Sequence, residues 1–254
     1  MAVVKAVGLT KVYGEYKGEN ATSALNGVSL EVEQGEFIGV MGPSGSGKST
    51  LVNILSGIMM PTAGHVEVAG QEIAAMNEDE LALFRRRKLG FVFQDFNLLE
   101  NLTLEENVML PMVFDHRGQE EMKQKADEIM TRFGIGEIKG RYPYAISGGQ
   151  QQRVAVSRAL VNDPAIVFAD EPTGNLDSKS SKAVMDCLRE MNEESNVTIL
   201  MVTHDVFAAS YCKKVIFIKD GAIAMEIVRK GSRKEFFDHI LDCQAIVGGV
   251  QNDV

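Results

Sequence analysis

The stretch Phe37-Ile38-Gly39-Val40-Met41-Gly42-Pro43-Ser44-Gly45-Ser46-Gly47-Lys48-Ser49-Thr50 decides how the rest of the chain is read. Phe37–Met41 reads as a strand, the glycine-rich run as a loop, and Lys48 to Ser56 as a helix. Gly42 to Ser49 fits G-x-x-x-x-G-K-[ST] with no mismatch, in the strand–loop–helix setting that the motif requires. Glycines let the backbone curl so that N–H groups converge on phosphate oxygens, and the helix start adds partial positive charge. Lys48 supplies a full positive charge to β- and γ-phosphates, and the Ser49 hydroxyl can ligate Mg²⁺.

Working outward, strands alternate with helices. Val3–Leu9 and Leu25–Val32 read as strands, Gly64–Ile73 as a hairpin, Glu78–Lys88 as a charged helix and Gly90–Gln94 as a strand. From Asp95 to Ala145 the texture is helical, with Met122, Ala126, Ile129, Met130 and Phe133 on one face. The alternation resumes after Ser147: a helix from Gly148, a strand Ile166–Ala169, a helix near Ser180–Asn192 and a strand Val197–Val202. A short helix, a strand Val215–Lys219, an Asp220-Gly221 turn into Ala222–Val228, and a helix from Ser232 to Ala245 complete it. Strands alternating with helices imply a mostly parallel sheet covered on both faces.

Two further runs carry chemistry. Ile166-Val-Phe-Ala-Asp170-Glu171 is an apolar strand ending in two carboxylates, and ligands of parallel sheets bind beyond such ends. Neighbouring strand residues point opposite ways, so the pair is expected to divide its roles. Asp170 would hold Mg²⁺, and Glu171 would polarise the attacking water. Ile146-Ser147-Gly148-Gly149-Gln150 opens a helix with Ser147 as N-cap, and its glycines let a phosphate approach the backbone. This makes a second anion site like the first. One nucleotide does not need two γ-phosphate sites in one chain, so two copies are expected to pair head-to-tail, each closing the other's phosphate loop.

Composition sets the frame. The chain has 254 residues, 45% of them apolar, with 26 Lys+Arg against 35 Asp+Glu and a formal net charge of −9. That excludes global disorder and fits one large domain, or one core with a subdomain. The acidic balance speaks against nucleic acid as partner. The apolar runs fall short of the ~20 residues a spanning helix needs, and no signal peptide is read at the N-terminus. Cys187, Cys212 and Cys243 show no CxxC spacing, which suits a reducing compartment.

Taken together, the sequence resembles the ATP-binding subunits of ABC transporters. The family's elements occur in order: Tyr13 at the adenine-stacking position, Gly42–Ser49 as Walker A, Gln94 as the Q-loop, Ile146–Gln150 as the signature and Ile166–Asp170 as Walker B. Glu171 then takes the place of the catalytic glutamate, Gly174-Asn175-Leu176-Asp177 that of the D-loop, and His204 that of the switch histidine. Ile146 replaces the commoner Leu, and Gly-Asn stands where Ser-Ala is frequent. Tyr16 is the poorer alternative for stacking, Gln94 and His204 could also be plain strand-end residues, and His65, His116 and His239 are read as surface.

The resemblance implies an α/β fold with a P-loop NTPase (RecA-like) core, an N-terminal antiparallel β subdomain and an inserted α-helical subdomain. One ABC ATPase domain would span 1–254, with 1–94 and 162–254 as core and β subdomain and 95–161 as the helical part. It also implies a site for ATP and Mg²⁺. Tyr13, Gly42, Pro43, Ser44, Gly45, Ser46, Gly47, Lys48, Ser49, Thr50, Ser147, Gly148, Gly149 and Gln150 would contact the nucleotide. Ser49, Gln94 and Asp170 would contact the metal, and Glu171, His204, Lys48 and Gln94 would serve hydrolysis. The implied partners are a second copy, in an ATP-dependent homodimer, and a separate permease that holds the chain at the cytoplasmic face of the membrane. The Gln94–Pro111 stretch, with Phe93, Phe96, Leu98 and Leu99, would dock it.

Phe93–Leu99, Leu102–Val108 and Asp170–Asp177 look like the group serving lipoprotein release, macrolide export, cell-division control and peptide-antibiotic export. The tail Ser232–Gly249 resembles the bacitracin- and lantibiotic-resistance (Bce-type) subset, or is a plain amphipathic helix with Phe236, Ile240 and Val247 inward. Motifs do not separate export of antimicrobial peptides from lipoprotein release or from force transmission that moves no solute.

Overall fold

The computed structural model describes residues 2–14 and 21–248. Tyr16 and Gly249 lie outside the described residues. The chain forms two compact units, one of residues 1–81 and 198–254, the other of 82–197. Among the described residues, no helix is long and apolar enough to cross a membrane.

The first unit begins with β1 (Ala2–Tyr13) and β2 (Thr22–Glu33), followed by β3 (Phe37–Met41) and α1 (Lys48–Leu55). Then come β4 (Ala63–Val68) and β5 (Gln71–Glu72), and the chain leaves the unit within α2 (Glu78–Lys88). β2, β1, β4 and β5 form an antiparallel sheet in that order. β1 runs on past Leu9, where the expected strand stops, because register shifts around Gly8 (φ 63°) break its alternation without ending its pairing.

The second unit holds β6 (Leu89–Val92), α3 (Leu104–Phe114), α4 (Gln119–Arg132), α5 (Gly148–Leu160), β7 (Ile166–Asp170) and α6 (Ser178–Ser195). Its helices start at well-made caps. Thr103 and Glu106 form a capping box ahead of α3, Ser147 and Gln150 another ahead of α5, and Asp177 accepts from the Lys179 and Ser180 amides at α6. β6 and β7 pair in parallel. A Cβ at Gly90 would fall 2.4 Å from the Ala159 carbonyl oxygen, so glycine there lets α5 lie directly on β6.

The chain returns to the first unit through β8 (Ile199–Val202), α7 (Val206–Ala209), β9 (Lys214–Lys219), β10 (Ala222–Val228) and α8 (Arg233–Gly248). Here β10, β9, β3 and β8 lie side by side, with β3 parallel to both neighbours. Asp220 and Gly221, both at positive φ, close the β9–β10 hairpin as its tight turn requires. Phe37, Ile38, Val40 and Met41 are fully buried, as are Ile199, Leu200 and Met201. Strands covered on both faces read as unbroken apolar runs, and Phe37→Ala in such a core costs about 3–5 kcal/mol. Along α8, Phe236, Ile240 and Val247 face inward as the tail's periodicity requires.

Candidate functional site

In the first unit, parallel register sets the level of the site. Val40 pairs with Val202. Two residues further on, Gly42 opens the phosphate loop and His204 lies two residues beyond β8, not at its end as the sequence suggested, so both sit past the carboxyl edge where parallel sheets bind ligands. Gly42, Gly45 and Gly47 have φ of 150°, 76° and 104°. A Cβ at Gly42 would lie 2.1 Å from the Ile218 carbonyl oxygen, and one at Gly47 would lie 2.3 Å from that of Ala24. The loop is thus pressed against β9 and the start of β2, where only glycine fits.

Further bonds fix the loop. The Gly221 amide donates to the Ser46 carbonyl at 3.1 Å, and the Asn26 amide to the Gly221 carbonyl at 2.8 Å. Lys48 Nζ folds back to donate to the carbonyls of Gly42 (2.9 Å) and Pro43 (2.8 Å), which holds the ammonium at the loop. Ser46 Oγ is buried with no hydrogen-bond partner, a costly state for a hydroxyl. Ser49 and Thr50 lie in the first turn of α1, whose leading N–H groups have no helical acceptor. Tyr13, 40% exposed, donates to Met59 Sδ at 3.1 Å and lies 3.5 Å from Thr50 Oγ1, so a half-open aromatic ring stands beside that turn. His204 is exposed, between Thr203, whose Oγ1 accepts from the Asp205 amide, and Asp205, which caps α7. His65, His116 and His239 are exposed too.

The second unit repeats the principle. Val92 pairs with Ala169, so two residues on Gln94 and Glu171 come level at the carboxyl edge. Gln94 lies two residues beyond β6, not at its end as the sequence suggested. Asp170 does end β7, but Glu171 has left the strand at φ 45°, so the turn directs its side chain and strand alternation does not. The Gly174 amide closes that turn on the Glu171 carbonyl at 3.0 Å.

Two residues to which the sequence assigned no role of their own hold these pieces together. Gln152, fully buried on α5, donates through Nε2 to the Phe93 carbonyl at 3.2 Å and the Pro172 carbonyl at 2.7 Å. Asn175 accepts from Gln94 Nε2 at 3.0 Å and donates to the Gln94 carbonyl at 3.3 Å and to Asp95 Oδ1 at 2.8 Å. The only sequence signal was Asn175 standing where Ala is frequent. Ser147 caps α5 as expected, Gly148 and Gln150 are partly exposed in its first turn, and Gly149 is buried against Ser180. Among the described residues no group of three or more His, Cys, Asp and Glu could hold a metal.

Comparison with known proteins agrees with this arrangement. The profile described as ABC transporter matches residues 25–174. The chain is 49% identical over 249 residues to the uncharacterized ABC transporter ATP-binding protein YvcR of Bacillus subtilis, covering 98% of this chain and 96% of that one. It is 47% identical over 255 residues to the bacitracin export ATP-binding protein BceA of Halalkalibacterium halodurans, covering all of both. Among solved structures it is similar to the ATP-binding cassette MJ0796 of Methanocaldococcus jannaschii, a dimer in a post-hydrolysis state bound to ADP and Pi. The identity there is 42% and the TM-score 0.80, over 90% of this chain and 100% of that one. With its phosphate loop, α/β fold and antiparallel β sheet, the chain belongs to the ABC transporter family as one of its ATP-binding domains.

Proposed function

We propose that the chain hydrolyses Mg·ATP as a homodimer and drives a separate membrane permease that confers resistance to antimicrobial peptides. The observation that carries the ATPase part is the glycine-built loop around Lys48, with its buried unpartnered Ser46 hydroxyl, which suits a polyphosphate. The full-length likeness to a bacitracin export protein supports the peptide branch. Lipoprotein release and force transmission remain the rival uses of the same domain.

Hydrolysis is mainly positioning and charge neutralisation. The loop amides, Lys48 and the first turn of α1 bind the phosphates, Tyr13 stacks on the base, and His204 approaches the γ-phosphate. Glu171 orients the attacking water and takes its proton. Ser147 and Gly149 contact the γ-phosphate held by the other copy. Ser49, Gln94 and Asp170 supply the oxygen-rich donor set that Mg²⁺ favours, and the cation would neutralise developing charge on the phosphates. Leu98 and Leu99 belong to the permease-docking stretch, whose backbone the buried Asn107 pins at Leu99 on both N–H (2.8 Å) and carbonyl (3.0 Å).

Glu171→Gln tests the reading. It leaves metal and nucleotide binding intact but removes the base, worth about 10²–10⁴ in rate. Size-exclusion chromatography should show a dimer with ATP and mostly monomer with ADP. Hydrolysis at the parent rate would remove Glu171 from the mechanism, and a monomer with ATP would count against closure by nucleotide. Loss of the gene from its host should raise bacitracin sensitivity; unchanged sensitivity to bacitracin and lantibiotics would sink the peptide branch.

A further inference from the structure

Gln94 ends in a carboxamide, and only its oxygen can ligate a cation. Which end faces outward therefore matters, and the surrounding groups decide it. Asn175 Nδ2 faces two acceptors, the Gln94 carbonyl and the Asp95 carboxylate, neither of which can donate. Turning the Asn175 amide over would set oxygen against two oxygens and lose both bonds. Its orientation is thus dictated, and Oδ1 must face Gln94. Oδ1 only accepts, so Gln94 must offer it Nε2, as the 3.0 Å contact has it. Gln94 Oε1 is left out of this contact.

The glycine before Asn175 completes the seat. A Cβ at Gly174 would lie 3.0 Å from Gln94 Cδ and Nε2 and 3.2 Å from Cγ, with Oε1 absent from its nearest contacts. A larger residue at 174 would push the carboxamide out of its place. The turn that begins at Glu171 therefore provides room at Gly174 and polarity at Asn175, both aimed at the nitrogen side of Gln94.

We infer that Asn175 is a positioning residue that fixes the Gln94 carboxamide with its nitrogen inward and its oxygen presented to the divalent cation. This rests on the Mg·ATP reading above. Without Asn175 the amide turns freely, and the nitrogen, which cannot ligate, competes for the outward place. Partners that orient metal ligands are typically worth 10–100-fold in affinity.

The test is Mn²⁺ binding, followed by the electron paramagnetic resonance signal of free Mn²⁺, to the full chain in the Glu171→Gln background with saturating ATP. Asn175→Ala should weaken Mn²⁺ about tenfold while leaving metal-free ATP affinity in chelator unchanged. Gln94→Ala should weaken Mn²⁺ by a similar factor, and the double variant should be no worse than Gln94→Ala alone, because Asn175 acts only through Gln94. Unchanged Mn²⁺ affinity in Asn175→Ala overturns the inference, and so does a loss that adds in full to that of Gln94→Ala. Failure of the parent to bind ATP in chelator would instead overturn the nucleotide reading on which the inference rests.

Discussion

The guanidinium of Arg158, in the last turn of α5, donates to the Phe96 carbonyl at 2.9 Å and also to the carbonyl of Asn97. Phe96 and Asn97 are both in the left-handed region, at φ 59° and 50°, an uncommon state for residues with side chains. A mostly buried cation, its pKa lowered by loss of water, thus holds a strained loop against the helix that Ser147 begins.

Arg158→Ala should cost about 1.5–3 kcal/mol, since it removes two charge-assisted bonds to carbonyls, one part-buried and one exposed. Urea unfolding measures the loss. Limited proteolysis should cut first between Phe96 and Glu100, and a cleavage pattern like the parent's would show that the loop does not depend on Arg158.

Lys48→Ala should weaken Mg·ATP binding at least tenfold and abolish turnover. The same change removes two hydrogen bonds to loop carbonyls, so a modest fall in melting temperature should accompany it. Calorimetric titration with ATP and a phosphate-release assay check the first part; near-parent values in both would sink the role of the loop.

Gly149→Ala should destabilise by about 1–3 kcal/mol. The added Cβ would fall 2.7 Å from Ser180 Cβ and Oγ. Ser180 Oγ donates to Asp177 Oδ2 at 2.6 Å, so the push also loosens the cap of α6. Thermal unfolding of the single and the Gly149→Ala/Ser180→Gly variants decides it: the second should recover most of the loss.

Asp177 binds Ser180 through both its side chain and its backbone, which holds the carboxyl below its usual range. Thr103 does the same for Glu106, and Ser232 for Glu235. A depressed carboxyl contributes stability above its unfolded value, and that contribution is lost as pH falls through the folded value. Asp177→Ala should therefore lower the melting temperature at pH 7 and have a progressively smaller effect below about pH 4. An effect as large at pH 2 as at pH 7 would contradict the sign.

On the proposed docking role, Leu98→Asp with Leu99→Asp should release the subunit from membranes that carry the proposed permease, with ATP affinity unaltered. Leu99 is already 47% exposed, so its charge costs little in folding, and any folding cost falls on the half-buried Leu98. Unchanged co-purification with the permease would put docking elsewhere.

Most elements were legible in the sequence because their signals are local. The limits of β3, α2 and β10 agree with the sequence reading, since apolar runs, charge blocks and the Asp220-Gly221 turn mark them. The strand expected from Val197 starts at Ile199 because Asn196, at φ 53°, caps α6 and the Val197 amide is drawn back to the Met191 carbonyl. Lys48 and Ser147 stand out in the sequence because contiguous motifs carry them. Gln152 and Arg158 do not, and Asn175 does so only as a member of the D-loop run, since each acts on backbone carbonyls or side chains far away in sequence. Glu171 shows the same limit: strand alternation predicted its direction, but the turn closed by Gly174 determines it.

Gln152 has a kinematic consequence. One rigid carboxamide nitrogen serves both the Phe93 and Pro172 carbonyls, and its two N–H vectors are fixed relative to each other. No rotamer satisfies one carbonyl while following an independent displacement of the other. The residues before Gln94, those after Glu171 and the first half of α5 are therefore coupled through one side chain. A displacement of one of these segments relative to the others has to stretch or break a bond to Gln152, at a cost of about 1 kcal/mol.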